Sequence, residues 1–185
     1  MKRPFPAWMV ATVLLCAGAR VAAKTQAAAP SDSSKAERTA RPCQHDEANR
    51  RFDFWAGDWN VTTPQGQTAG TNSIQKLLDG CLLLESWTGA SGSTGRSINY
   101  LDPGTRTWRQ VWVDSGGDVI TYEGEFRDGA MRFHGEHVDR SGHKVLSRMS
   151  FTPLKDGHVR QLIEESGDGG TTWSVWFDGN YAPRR

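Results

Sequence analysis

Ten short strand-like runs, separated by Gly- and Asp-rich turns with scarcely any helical periodicity, constrain this chain more than any other feature. They run Asp58–Thr63, Thr71–Leu78, Cys81–Gly89, Arg96–Leu101 and Thr107–Asp114, then Val119–Arg127, Ala130–Asp139, Val145–Pro153, Val159–Ser166 and Thr172–Phe177. The punctuation is turn chemistry: Asp79-Gly80, Asp102-Pro103-Gly104, Ser115-Gly116-Gly117, Asp128-Gly129, Ser141-Gly142 and Asp156-Gly157. Connections this tight favour an all-β, antiparallel up-and-down barrel; a two-sheet sandwich is the competitor, but its Greek-key crossovers need longer connections than most of these. A barrel interior can hold a small molecule. The pattern names a container and leaves its contents open.

Ahead of the first strand, Asp46–Phe54 has the marks of a short helix. Asp46 suits the N-cap, and Phe52 and Trp55 are placed to plug one barrel end. The chain carries eight tryptophans, all but Trp8 downstream of the leader. Burying one fully is worth roughly 4–6 kcal/mol as an upper bound, so indoles alone can anchor a small barrel.

The first residues are not expected to belong to the fold. Lys2 and Arg3 form a positive start, Met9–Ala19 an apolar run, and Ala17-Gly18-Ala19 or Val21-Ala22-Ala23 a small-residue cleavage site. That run is too short to span a membrane. Leu15 stands before Cys16 where a lipid-attachment motif needs a small residue. The expected organisation is a signal peptide at 1–23, a disordered tether at 24–44 rich in Ala, Ser, Lys and Thr, and a barrel domain at 45–185. The destination is periplasmic or secreted. With Cys16 removed, Cys43 and Cys81 remain as an even pair in an oxidising compartment. The expectation is a Cys43–Cys81 disulfide, worth roughly 4 kcal/mol in the chain-entropy model for a loop of about 38 residues, with two free thiols as the alternative.

A formal charge of +1 with no basic stripe offers nothing to nucleic acid. Strand period two sorts the remaining candidates. Trp108, Gln110, Trp112 and Asp114 share one face of their run, and Cys81, Leu83, Glu85 and Trp87 share one face of theirs. Taken as inward, because large indoles are costly to leave in water, these faces give a ligand-binding set of Glu85, Trp87, Trp108, Gln110, Trp112 and Asp114. Such a lining suits a small molecule with an apolar body and a polar handle. The bland alternative is a solid Trp-filled core with Glu85 and Asp114 solvated at the rim.

No catalytic constellation emerges. Gly89-Ala-Ser91-Gly-Ser93 falls one residue short of G-x-S-x-G and lies between strands, not on a strand-to-helix elbow. Glu164 and Glu165 are neighbours on opposite faces. Glu123 and Glu125 lie on a solvated outer surface. His134 and His137 are three apart on a strand and cannot chelate one metal; His137 shares the inward face of Met131 and Phe133. Neither a metal nor a cofactor is expected. Ser166-Gly-Asp168-Gly-Gly170-Thr-Thr172-Trp173 matches the Asp-box, a hairpin loop tied to its own backbone, and marks a turn without marking chemistry.

Phe52-Asp-Phe-Trp55-Ala-Gly57-Asp-Trp59-Asn-Val61, Gly80-Cys81 with Glu85-Ser-Trp87, Trp108-Arg-Gln110-Val-Trp112-Val-Asp114 and Asp168-Gly-Gly-Thr-Thr-Trp173 with Phe177-Asp-Gly-Asn-Tyr181 together resemble a family of exported bacterial lipocalin-like (calycin) barrels carrying a domain of unknown function. The resemblance spans about Arg51–Tyr181. Gly57 and Trp59 match the calycin Gly-x-Trp step that opens the first strand. It implies a barrel for a small apolar ligand and a late basic residue stacked on that Trp, for which Arg184 and then Arg160 are the candidates. It brings no reaction. Nitrobindins, ten-stranded relatives, hold haem through a His near the chain end; the last His here is His158, so haem by that route is not expected. Two alternatives stand beside the carrier: a hydrolase or isomerase using Glu85 or Asp114 as acid/base, and a non-catalytic module with a solid core, which a cavity under about 300 Å³ would favour.

Overall fold

The computed structural model describes residues 32–185. The leader expected at 1–23 and residues 24–31 lie outside them. Within the expected tether, Asp32–Ala40 forms a helix, α1, and Pro42–His45 a single turn, α2. Neither buries a side chain. The irregular backbone expected there gives way to helix because Ala, Lys, Glu and Arg favour it, with Asp32 in the first turn and Arg38 in the last matching the helix dipole.

Ten antiparallel strands close into a barrel: β1 (Gly57–Thr62), β2 (Thr68–Leu77), β3 (Leu82–Gly89), β4 (Thr94–Leu101), β5 (Trp108–Asp114), β6 (Val119–Arg127), β7 (Ala130–Val138), β8 (Lys144–Pro153), β9 (Val159–Ser166) and β10 (Ser174–Pro183). Each strand pairs with the next in sequence, and β10 returns to β1, so the order is up-and-down throughout. The connections are as short as the turn residues demand. Between β6 and β7, Asp128 and Gly129 both take positive φ (49° and 74°), the geometry that matches a two-residue turn to strand twist.

Closure depends on a segment that the sequence pattern hides. The last strand was expected to run only over Thr172–Phe177. Instead β10 continues to Pro183, and Asn180–Pro183 make the pairing with Thr62–Trp59 that seals the barrel. Two local contacts reconcile those residues with a strand. Asp178 accepts two hydrogen bonds from Arg160 on β9 (2.9 and 2.8 Å). Gly179 leaves room for the Phe177 ring, which a Cβ there would meet at 2.5 Å. Arg160 is thereby committed to Asp178, and Arg184 lies beside Asp58 at 3.7 Å. Trp59 is buried, donates from Nε1 to the Trp55 carbonyl at 2.9 Å and meets Tyr181 edge-on. The Arg found over an indole is Arg148, 4.3 Å from the Trp173 ring centre.

The two barrel ends differ in kind. At the end where β1 begins, the chain folds inward as a plug. Helix α3 (Glu47–Arg50) is capped by Asp46, which accepts from the Ala48 amide at 3.0 Å, and a 3-10 turn, Asp53–Trp55, follows. Phe52 and Trp55 are fully buried and stacked at 4.9 Å, with Trp108, Phe133 and Phe151 packed round Phe52. The plug is fastened from several sides. Cys43 and Cys81 form a disulfide with Cα atoms 5.1 Å apart. Arg106 donates to both Asp46 oxygens (2.5 and 3.0 Å), Lys76 pairs with Asp53 at 2.5 Å, and Trp108 Nε1 donates to the Ala48 carbonyl at 3.3 Å. The Arg106 guanidinium holds the Asp46 carboxyl down at about 2.

Candidate functional site

Above the plug, the lumen changes character. Gly95, Ser97, Asn99 and Leu101 of β4 face inward, while Ile98 and Tyr100 are left on the outside. Gly70, Asn72 and Ile74 of β2, Leu83 and Glu85 of β3, and Trp108 and Gln110 of β5 are buried on the same inner surface. A polar ladder results. Gln110 Nε2 donates to Asn99 Oδ1 at 2.6 Å. Asn99 Nδ2 donates to the Leu83 carbonyl (3.2 Å) and to Ser97 Oγ (2.8 Å). Ser97 Oγ donates to Glu85 Oε2 at 2.5 Å, and Asn72 Nδ2 donates to Glu85 Oε1 at 2.7 Å. On the far side Asn72 Nδ2 also reaches Tyr181 Oη at 3.3 Å, and Tyr181 donates to Gln161 Oε1.

The direction of this ladder is set by its chemistry. A backbone carbonyl can only accept, so Leu83 fixes which end of the Asn99 amide is the donor. Ser97 must then take a hydrogen bond from Asn99 and hand its own proton to Glu85. Both Glu85 oxygens receive a donor, the pattern that suits a carboxylate. Burial acts against the charge and pushes the Glu85 carboxyl above its usual range; the bonds from Ser97 and Asn72 pull the other way. Burial likewise raises the Tyr122 phenol to about 12, and Tyr122 Oη lies 2.9 Å from Ser147 Oγ.

Toward the open end, a cavity of about 240 Å³ lies above this floor. Glu85, Gln110, Gln161 and Tyr181 are its polar side; Trp87, Trp112, Trp176 and Phe177 are among its aromatic walls, and Ser91 and Ser93 of the β3–β4 loop stand at its edge. The walls are held back by glycine. A Cβ on Gly70 would meet the Trp87 ring at 2.8 Å, and one on Gly95 would meet the Trp112 ring at 2.2 Å. With hydrogen in place of a side chain on the neighbouring strand, each indole can occupy the space over that glycine and leave room in the lumen beside it.

Four of the six residues expected to bind ligand therefore meet round one cavity: Glu85, Trp87, Gln110 and Trp112. Trp108 and Asp114 do not. Trp108 shares their face but sits too near the plugged end, against Phe52 at 5.5 Å. Asp114 is at the other extreme of β5, where Oδ1 accepts from the amides of Gly116 (2.8 Å) and Asp118 (3.1 Å) and holds the β5–β6 turn. His137 does lie inside, with Nε2 at 3.9 Å from Glu165, but neither residue lines the cavity. Among the described residues, no three His, Cys, Asp or Glu side chains converge as metal ligands. No protein-family model matches the chain, and no curated protein matches it.

A larger concavity lies elsewhere among the described residues, an open groove of about 990 Å³ bordered by Trp173. Several of its charges are paired: Arg148 with Glu164, His134 with Glu123, and Arg106 with Asp46 of the plug. The Asp-box behaves as a turn. Asp168 accepts from the Thr172 amide and hydroxyl (2.9 and 2.7 Å) and from Ser166, bonds that hold its carboxyl at about 2.

Asn72, Ser97, Asn99, Gln161, Tyr181 and Phe177 complete the floor and walls, and none was singled out from sequence. The available signal was glycine, although Gly70, Gly95 and Gly179 fall just outside the strands expected from sequence and inside β2, β4 and β10. Gly70, Gly95 and Gly179 mark positions where a ring lies against the backbone.

Proposed function

We propose that this protein is an exported, lipocalin-like carrier that binds a small, partly apolar molecule in the open half of its barrel. The observation that carries the reading is the lining of the 240 Å³ cavity: indole and phenyl walls over a floor of Glu85, Gln110, Gln161 and Tyr181. A barrel that needs only a core has no use for a carboxylate and two amides facing a void, since each costs free energy to desolvate. A carrier needs that combination, because apolar walls give affinity and a few placed polar groups give orientation. The Gly57-x-Trp59 step at the head of the first strand supports kinship with the calycins, and the Cys43–Cys81 bridge supports an oxidising destination.

The cavity volume favours a second reading. At about 240 Å³ it falls below the roughly 300 Å³ at which ligand pockets usually begin, so size alone points to a non-catalytic module with a largely filled core. If the carrier reading holds, the ligand is small. For an enzyme on the same barrel, Glu85 is the one of the two named carboxylates that reaches the cavity.

Native purification from the cell envelope, followed by solvent extraction and mass spectrometry, tests the proposal. A stoichiometric small molecule, displaced by probes that change tryptophan fluorescence, is the expected result. An empty protein whose fluorescence responds to no small aromatic or aliphatic compound would hand the case to the filled-core module.

A further inference from the structure

The cavity has an imbalance of charge and of hydrogen bonding that narrows what can occupy it. Among the described residues that line it, Glu85 carries the only charged side chain. The groups that touch or surround that carboxylate are neutral on every strand that faces it: Asn72 on β2, Ser97 and Asn99 on β4, Gln110 on β5, Gln161 on β9 and Tyr181 on β10. Arg96 acts on Glu85 only through its charge from a distance: it is exposed on the outer face of β4 and donates to the Gly95 carbonyl at 2.8 Å. Buried carboxylates are ordinarily paired with a cation, and this one is not.

The floor is also short of donors, not of acceptors. Each Glu85 oxygen receives one hydrogen bond where it can accept two. Asn72 Oδ1, beside it, is buried and accepts none. The walls above are π faces and edges: Trp87 meets Phe177 at 5.9 Å in a T-shaped contact, and Trp112 lies across Gly95. Indole faces attract cations and are indifferent to anions.

Resting on the reading that the barrel holds a small molecule, we propose that its ligand is a cationic amine, with the ammonium on Glu85 and the apolar remainder among Trp87, Trp112 and Phe177. An ammonium brings up to three N–H donors and a positive charge to a site that lacks both. A fatty acid or other anion would set its charge against Glu85 with no cation to offset it. The carboxylate is thus the selectivity element, and the ladder from Gln110 through Asn99 and Ser97 keeps it oriented toward the cavity floor.

Three probes of one shape separate the possibilities: 2-phenylethylammonium, 2-phenylethanol and 3-phenylpropanoate, titrated at pH 7 by calorimetry and tryptophan fluorescence. The amine should bind about ten- to a hundredfold tighter than the alcohol, as a charge-assisted hydrogen bond to a buried carboxylate warrants, and the acid should not bind. In Glu85→Gln, the amine should lose about ten- to a hundredfold and the alcohol far less, so that the preference for the amine disappears. An alcohol or acid that binds as well as the amine overturns the amine assignment and leaves the container standing. An amine preference that survives Glu85→Gln overturns the role of Glu85. If none of the three binds, the container reading falls with it. The wild-type series decides the matter even where Glu85→Gln does not fold.

Discussion

The two ends of this barrel use the same side chains for opposite purposes. At the plugged end, Phe52, Trp55, Trp108, Phe133 and Phe151 pack on one another, with ring centres 4.5–5.8 Å apart in the contacts of Phe52 and Trp55. At the open end, Trp87, Trp112 and Phe177 lie against Gly70, Gly95 and Gly179, and a cavity remains between them. What decides between filling and hollowing is the residue beside the ring, on the neighbouring strand for Trp87 and Trp112 and two places along the same strand for Phe177. An aromatic ring facing other rings fills space, whereas a ring facing a glycine is pulled back to the wall.

The largest test of that contrast is a matched truncation. Phe52→Ala removes the ring at the centre of the plug and should cost about 3–5 kcal/mol, a fall in melting temperature of roughly 10 °C or more. Trp112→Ala removes a larger side chain from the open end, yet one already bordering a void, and should cost about 1–2 kcal/mol. Thermal unfolding of the two variants side by side checks this. Equal losses would mean that the open half is packed as tightly as the plug.

The contrast also explains which parts of the molecule can be read from the sequence. The number of strands, their order and the plug were all legible, because turn residues and the Phe52/Trp55 pair signal them locally. So was the inward face of β5, where Trp108, Gln110 and Trp112 alternate with Arg109, Val111 and Val113. Of the polar floor, Glu85 and Gln110 were legible and the rest was not. In β4 the apolar side chains Ile98 and Tyr100 point out and Ser97 and Asn99 point in, which inverts the usual pattern and makes the strand look as if it faces the other way. Distance along the barrel axis was equally hidden. Trp108, Gln110, Trp112 and Asp114 share a face, but a strand rises about 3.3 Å per residue. Their ends therefore belong to the plug and to a turn, and only the middle belongs to the cavity.

A second test adds atoms instead of removing them. A Cβ at Gly95 would lie 2.2 Å from the Trp112 ring, so Gly95→Ala must push the indole off the wall and into the lumen. The ring is rigid, and the expected cost is about 1–3 kcal/mol, as for other overpacked cores. Its more telling consequence is a smaller cavity. Probes that bind the wild-type barrel should bind this variant at least about tenfold more weakly. If affinity is unchanged, Trp112 does not border the binding space.

The smallest effect is one of slope, and it sets the two ends in opposition through their carboxylates. Asp46, clipped by Arg106, has its folded pKa depressed from 3.8 to about 2. Its contribution is present above the unfolded value and lost as pH falls through the window between the two. Glu85 is the reverse. Burial raises its folded pKa above 4.5, so the folded chain holds the proton more tightly than the unfolded one. Its contribution is full below 4.5 and declines as pH rises toward the raised value. Glu165 shifts in the same direction, which is why the wild-type curve alone cannot isolate Glu85. The difference between wild type and Glu85→Gln can. Denaturant unfolding from pH 4 upward should show the wild type losing ground steadily to Glu85→Gln, with the gap levelling off once Glu85 is ionised in both states. A saturating amine should close that gap, because an ammonium on the carboxylate restores the preference for the charged form. A gap that does not change with pH would mean that Glu85 ionises in the barrel as readily as in the unfolded chain. Burial in the lumen would then cost the carboxylate nothing, and the open end would lack the electrostatic tension that sets it apart from the plug.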